Sequence, residues 1–500
     1  MANKKFSDFT LKTDSANVDF VVGYDGSDNV RIAPSNLSSG GATSLNGLTD
    51  CLVDTDSLYV GEVPASLSGN PQDNTILGIR AGDSLTSGDS NTLIGNNAGD
   101  SITTGTNSVA VGMDALAGTS TVGNNVAVGK NAYKAGTSSN NVYVGYDAGS
   151  AATTGSYQVG IGVSAGNSDT GSGSISIGWF ANRNNTAAGT LTVGYQAGYS
   201  QTSGTANTNL GYQAGYSNTT SGYRTMMGYE AGEFNTGANN TFIGYHAGTG
   251  VLGSSTADRT TIIGSEAGEA ITTGLLNVLI GYQAGKALTV GGSNVAVGSE
   301  ALKTENSRSF SVAVGTSALT VQDASANAYN AALGHNAGNS ITTGIKNTCL
   351  GGKAAADNSL ITGDNNIVIG FEASPSADNV DNEITLGDAN IATLRCQVTS
   401  ITSLSDKRDK TNIEDSSYGL DLVNSLKPVT FDWNMRDGAK VGQKDLGFIA
   451  QDLQEVDDEN LQLVYSNNPE KLEASYGRLI PVLVKAIQDL SAKVTALENA

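Results

Sequence analysis

One short pattern recurs along most of this chain at a nearly constant step. In nineteen places from Gly78 to Gly387 the sequence sets an apolar residue before a glycine, followed in all but the last by x-x-Ala, with a mean step of about 17 residues, the length of a short solenoid turn. The residue before the glycine is apolar in every copy. The residue two places before that (Thr75, Val109, Val126, Ile175, Ile367) is generally β-branched or apolar. Alanine follows three places after the glycine in eighteen copies. The last copy, Gly387-Asp388-Ala389-Asn390, departs from the pattern.

A period this short leaves few folds open. Residues two apart share one face of a β-strand, so each repeat predicts one short strand with two apolar side chains turned inward. The glycine permits a corner at positive φ, and the alanine is small enough to tuck beneath it. A second cluster, as in Thr104-Gly105 and Thr154-Gly155, supplies the return turn. The expected fold class is mainly β: a β-solenoid or β-roll over 75–390. At the strand spacing of ~4.8 Å, its coils would stack to roughly 90 Å.

Composition supports this. Glycine supplies 63 of 500 residues, proline 7, and charged residues 15%, against roughly 25% in ordinary domains. High glycine without a Gly-X-Y period argues against a collagen helix. A net charge of −21 argues against nucleic acid as a partner, because phosphate neutralisation needs a clustered basic surface. No apolar run is long enough for a membrane helix. Met1-Ala2-Asn3-Lys4-Lys5-Phe6 is not followed by an apolar segment, so no secretory signal is expected. Cys51, Cys349 and Cys396 are too few and scattered for a disulfide framework or a zinc site. No cofactor or metal is expected, and the protein is read as assembled in a reducing cytoplasm.

Two apolar residues and an alanine per turn make a thin core, and a lone coil would leave much apolar edge exposed. Three chains about an axis would cover it. Segments such as Asn107-Ser108-Val109-Ala110-Val111-Gly112 resemble the head repeats of trimeric autotransporter adhesins. That resemblance covers about 310 residues and implies a trimeric left-handed β-roll. The family repeat is shorter, and the signal peptide and membrane anchor of that family are not recognised here, so a bacterial surface adhesin is not expected. Tyr146, Tyr195, Tyr212, Tyr229, Tyr245 and Tyr282 follow corner glycines directly, as do Trp179 and Phe371. Stacking would align these rings. They read first as a structural aromatic ladder at a chain-chain seam, and otherwise as candidate glycan-binding residues. His246 and His335 have no metal-ligand cluster beside them and read as surface residues.

Residues 1–40 differ from the repeat. Val18-Asp19-Phe20-Val21-Val22 and Val30-Arg31-Ile32 flank Asp25-Gly26, a β-hairpin signal. The segment resembles short virion-attachment segments of phage tail proteins, and reads equally as a capping hairpin. Residues 41–74 read as a linker or irregular first coils. Residues 391–404 form a junction.

From 405 to 500 the composition changes to that of a small α+β domain. Ile480, Leu483, Ile487, Leu490, Val494 and Leu497 are spaced 3, 4, 3, 4, 3, a heptad seam for a coiled coil and the candidate trimerisation surface. β-Branched residues at a with Leu at d favour two strands, so three strands must be imposed by the rest of the protein. Ser405-Asp406-Lys407-Arg408-Asp409-Lys410-Thr411-Asn412-Ile413, Gly447-Phe448-Ile449-Ala450-Gln451 and the closing Leu479-Ile480-Pro481 through Ala486-Ile487-Gln488-Asp489-Leu490 resemble the endosialidase-type intramolecular chaperone domains of phage tail spikes and fibres. The resemblance implies a domain that trimerises, templates folding of the β-structure before it, and is released by self-cleavage. Carried onto this sequence, the scissile bond is Leu404–Ser405, Ser405 is the nucleophile and Lys410 the base.

Lysine is a base only when neutral, and burial favours that form. A spacing of five does not place both groups on one helix face, so a turn or a partner chain has to bring them together. A register-setting domain would serve this chain well, since near-identical coils slip past one another easily.

The expectation is a homotrimeric phage tail fibre, carried on the virion and assembled in the host cytoplasm. Its expected partners are a tail or baseplate protein at the N-terminus and a host-surface glycan or protein. The rival enzyme reading is a tail spike that degrades surface polysaccharide. It needs paired carboxylates beside a cleft, and the repeats hold scattered acids such as Asp147, Glu230 and Glu266. A third reading is a regular solenoid that binds ice.

Overall fold

The structure is a computed structural model that describes residues 20–25, 28–32, 51–54, 57–61, 67–118, 120–391, 393–395, 397, 405–436, 441–466, 468, 470 and 472–500. Its contacts divide the chain into two compact units, 1–257 and 258–500.

In the first unit, Phe20–Asp25 pairs antiparallel with Asp28–Ile32, as the flanking pattern predicted. The Gly26 turn lies outside the described residues. Cys51–Asp54 pairs antiparallel with Ser57–Gly61, so strands begin within 41–74. From Ser57–Gly61 onward every pairing is parallel. Thr75–Gly78, Thr92–Ile94 and Val109–Val111 succeed one another, and the series runs to Thr241–Ile243. The second unit repeats the design from Thr261–Ile263 to Ile384–Leu386. The protein is therefore mainly β, a parallel solenoid with one three-residue strand in most coils.

Equivalent residues pair without offset, for example Val109↔Val126, Ala110↔Ala127 and Val111↔Val128. The corner glycines from Gly78 to Gly370 hold φ between 127° and 144°, a region L side chains rarely enter. A Cβ on Gly112 would also lie 2.6 Å from the Gly129 carbonyl oxygen one coil on. Gly387, whose copy breaks the pattern, holds φ 79°.

The expectation of two inward apolar side chains per strand is overturned. The middle residue of the strand is the buried one: Leu93, Ala110, Ala127, Tyr143, Phe242 and Ile262 are 0–1% exposed. The two flanking aliphatics face outward, and Ile161, Leu210, Val312, Leu333 and Leu350 are among the exposed ones. A coil this small has room inside for one strand side chain, one alanine such as Ala115 and one return-turn residue such as Ile102. The alternation is as expected, but its phase is shifted by one residue.

A polar ladder lies inside the coils as well. Each ladder residue precedes its strand by one place. Asn91 N donates to Asn74 Oδ1 at 2.9 Å and Asn294 N to Asn277 Oδ1 at 2.9 Å. Asn347 N donates to Asn330 Oδ1 at 2.8 Å and Asn366 N to Asn347 Oδ1 at 2.9 Å. The amides also donate across to return-turn carbonyls, as Asn91 Nδ2 does to Gly105 O at 2.9 Å. These bonds satisfy backbone groups that the corners would otherwise leave buried and unpaired. In the second unit the ladder ends on Glu383, whose N–H meets Asn366 Oδ1 at 2.9 Å.

The described residues of 405–500 hold three α-helices, α1 (Leu420–Ser425), α2 (Ala450–Gln454) and α3 (Leu479–Glu498), with two antiparallel strand pairs, Val429–Asp432 with Lys444–Gly447 and Val464–Tyr465 with Glu473–Ala474. Their core is small: Leu453, Leu461, Leu463, Leu479 and Val482, with Leu422, Val423 and Phe448 packed against it.

Candidate functional site

Ser405 and Lys410 are brought together by a single turn. Asp406 caps the 3-10 helix Lys407–Asp409 by accepting from Arg408 N at 2.8 Å. The turn closes with Lys410 N donating to Lys407 O at 3.2 Å. That reversal carries Lys410 Nζ to 2.7 Å from Ser405 Oγ. The Arg408 guanidinium grips the Asp406 carboxylate and holds its pKa below the usual range, which keeps the cap charged. Both Ser405 and Lys410 are exposed. Leu404, the other side of the expected scissile bond, lies outside the described residues.

The second motif fixes the entry to α3. A Cβ on buried Gly447 would lie 2.5 Å from Tyr476 Oη, so the position accepts only glycine without movement. Phe448 N donates to Tyr476 Oη at 3.0 Å, and the two rings meet edge to face at 5.7 Å. Tyr476 opens the 3-10 turn that leads into α3. Leu479, Val482 and Ala486 bury one side of that helix, and Leu420 N donates to Asp489 Oδ2 at 3.3 Å. The heptad residues Ile480, Leu483, Ile487, Leu490, Val494 and Leu497 lie on the other side, 45–77% exposed. α3 thus uses one stripe to hold its own domain and leaves the seam unpaired in the single chain.

Four of the six singled-out tyrosines form one column. Tyr195, Tyr212, Tyr229 and Tyr245 stack at centroid distances of 5.1, 4.8 and 5.5 Å, with Trp179 edge-on to Tyr195 at 5.6 Å. Because the rings stack on one another, their edges and hydroxyls are what the column offers outward. Tyr146 sits beneath Lys130 Nζ at 5.9 Å, and Tyr282 is half-exposed. His246 stacks on Tyr245 at 4.0 Å and its Nε2 pairs with Glu230 Oε2 at 3.0 Å, so it is anchored in the coil surface. A second column, Tyr199 on Tyr216 at 5.2 Å, is joined by Arg183, whose Nη1 donates to Tyr199 Oη at 2.9 Å. Both tyrosines stand five places after a corner glycine, a recurrence the sequence displays but that the glycine-adjacent pattern passes over.

Three buried ionisable groups were also missed. Burial pushes the Asp169 carboxyl up to about 7. The Glu233 carboxyl is pushed up to about 7 by burial and the neighbouring Glu230 charge. Arg224, 1% exposed, takes a ladder position. Among the described residues there is no cluster of metal-ligating side chains, and no helix is long and apolar enough to cross a membrane.

Residues 405–462 match the family model described as chaperone of endosialidase. No curated protein and no solved structure matches the chain. The match begins on Ser405 and includes Lys410 and the Gly447–Gln451 motif. The C-terminal segment is therefore chaperone-like, and it follows a regular parallel β-solenoid.

Proposed function

We propose that this chain is a homotrimeric fibre protein of a phage particle whose C-terminal domain templates its assembly and then cuts itself free. The observation that carries this reading is the 2.7 Å contact between Lys410 Nζ and Ser405 Oγ, at the first residue of the chaperone-like segment.

The chemistry follows from where Ser405 sits. It lies on the C-terminal side of the Leu404–Ser405 bond, so its Oγ reaches the Leu404 carbonyl carbon through a five-membered ring. Neutral Lys410 takes the hydroxyl proton as the new C–O bond forms. The C–N bond then breaks, and the lysine returns the proton to the departing α-amine of Ser405. Water hydrolyses the ester, leaving a Leu404 carboxylate and a free Ser405 hydroxyl.

In the single chain both groups face solvent. Closure of three copies about α3 buries the dyad, favours neutral lysine and so links cleavage to assembly. The exposed α3 seam and the outward aliphatic columns of the solenoid are two apolar surfaces that three chains would cover together. Once α3 has aligned the chains, the coils pair in register, and the domain is no longer needed. In this reading the N-terminal hairpin docks on a tail or baseplate protein. The Tyr195–Tyr245 column meets a host-surface glycan or protein through its edges and hydroxyls, and Tyr146 in the first unit and Tyr282 in the second are separate contact points of the same kind.

A second reading, hydrolysis of a surface polysaccharide, draws on Glu233, whose carboxyl is raised by burial and by the charge of Glu230. A carboxylic acid paired with a second carboxyl group is what glycoside hydrolysis requires. Sugar release from capsular polysaccharide that disappears in Glu233→Gln would favour it over the structural reading.

The primary reading is tested by native mass of the full chain beside Leu483→Asp. The expected result is a cleaved trimer for the first and an uncleaved monomer for the second. Cleavage by the monomeric variant would contradict the link between assembly and self-cleavage.

A further inference from the structure

Arg224 stands in the asparagine ladder, with Asn207 and Asn240 at the equivalent positions of the coils on either side. Its backbone keeps the ladder contact, N to Asn207 Oδ1 at 3.1 Å. Its side chain turns into the coil interior and is the largest fully buried one among the described residues. There Nη2 donates to Asn235 O at 2.6 Å. Nε and Nη1 have no partner, and neither has the neighbouring buried Asn235 Nδ2. Asn235 Oδ1 is taken up by Gly237 N at 3.0 Å and Asn240 Nδ2 at 3.2 Å.

No carboxylate pairs with this guanidinium among the described residues. The causes acting on it are burial alone, which lowers its pKa to about 9, so it stays charged at neutral pH. An unpaired charge inside a protein is heavily unfavourable. A side chain from another copy of the chain cannot reach it through the wall of the coil. Water answers the need poorly. The unpartnered groups around Arg224 are all donors, and a water molecule would add two more hydrogens and leave the charge uncompensated. A small acceptor with a negative charge satisfies both conditions at once.

We propose that the coil interior at Arg224 holds one halide-sized monovalent anion, chloride in the cell, on the Asn235-facing edge of the guanidinium, bound by Arg224 Nε and by Asn235 Nδ2. The anion is enclosed as the coil closes over it. It lets a charged residue replace asparagine at one place in the ladder. The site is independent of the self-cleavage reading, since it lies wholly within one chain of the solenoid.

The test uses the full chain and the variant Arg224→Asn, which restores the residue found in the neighbouring coils. Protein purified and dialysed free of chloride is denatured, and released chloride is measured by ion chromatography. The same protein, equilibrated in bromide, is crystallised and the bromide located by its anomalous signal. A trapped ion predicts about one chloride released per chain. An exchanging ion predicts a bromide peak at Arg224. Either result in the wild type, absent in Arg224→Asn, supports the site. A wild type that gives neither, or a variant that still gives one, overturns it.

Discussion

Lys410 Nζ donates to Ser405 Oγ at 2.7 Å across one turn of 3-10 helix, while both side chains remain open to solvent. The contact forms within one chain and needs no partner copy. Lys410→Arg keeps the charge and the reach but provides no neutral base, because arginine stays protonated in proteins. The expected outcome is loss of self-cleavage by at least a hundredfold, with trimer formation unchanged. Denaturing electrophoresis over a time course checks it, and cleavage at the wild-type rate would remove lysine from the mechanism.

Ile487 sits at the middle of the α3 seam and is 67% exposed in the single chain. Ile487→Asp leaves the domain's own core untouched, since that core uses Leu479, Val482 and Ala486. In a trimer it places three carboxylates in one buried layer. Trimer affinity is expected to fall by more than a hundredfold, about 3 kcal/mol. Sedimentation equilibrium reads this directly, and an intact trimer would place the interface elsewhere.

Asn294 links two coils. Its Oδ1 accepts from Ser311 N at 2.9 Å and its Nδ2 donates to Arg308 O at 2.9 Å. Asn294→Ala leaves buried backbone groups without partners, a loss of about 1–3 kcal/mol. Asn306→Ala, which removes an exposed contact from Thr289 Oγ1 to Asn306 Oδ1 at 2.6 Å, is expected to change stability by less than about 0.5 kcal/mol. Denaturant unfolding of the two variants separates the ladder from surface asparagines.

The raised carboxyl of Glu233 sets a sign for pH dependence. Its folded pKa of about 7 lies above the ordinary glutamate value of about 4.3, so the folded state prefers the protonated form. The stabilisation from this group is complete below the ordinary value and is lost as pH rises to about 7. Asp169, raised to about 7 by burial, acts in the same direction. Thermal unfolding of Glu233→Gln should show a shallower decline between pH 4 and pH 7 and a higher midpoint at pH 8. An unchanged slope would mean that the carboxyl is solvated in solution.

The step of the solenoid, its strands and the α3 seam were legible because each depends on local periodicity, whereas the spacing of Ser405 and Lys410 left a turn and a partner chain both open. The phase of the strands was not. Period-two alternation tells which residues share a face, and only the room inside the coil decides that Ala110 goes in while Val109 and Val111 go out. The ladder left a signal that went unread: asparagine stands four places before the corner glycine in eleven of nineteen copies. Arg224, Ser108 and Gln158 at that same place obscure it. The stacking of Tyr195 to Tyr245 was foreseeable from spacing, but the isolation of Tyr146 from that column depends on which coils lie between them.

The most direct test of the central claim is the denatured mass of the purified protein, wild type beside Ser405→Ala and Lys410→Ala. The account predicts two wild-type fragments that meet at Leu404–Ser405, and both variants whole at 500 residues. A wild type that remains whole as a native trimer would contradict it, and would leave residues 405–500 as a permanent trimerisation domain.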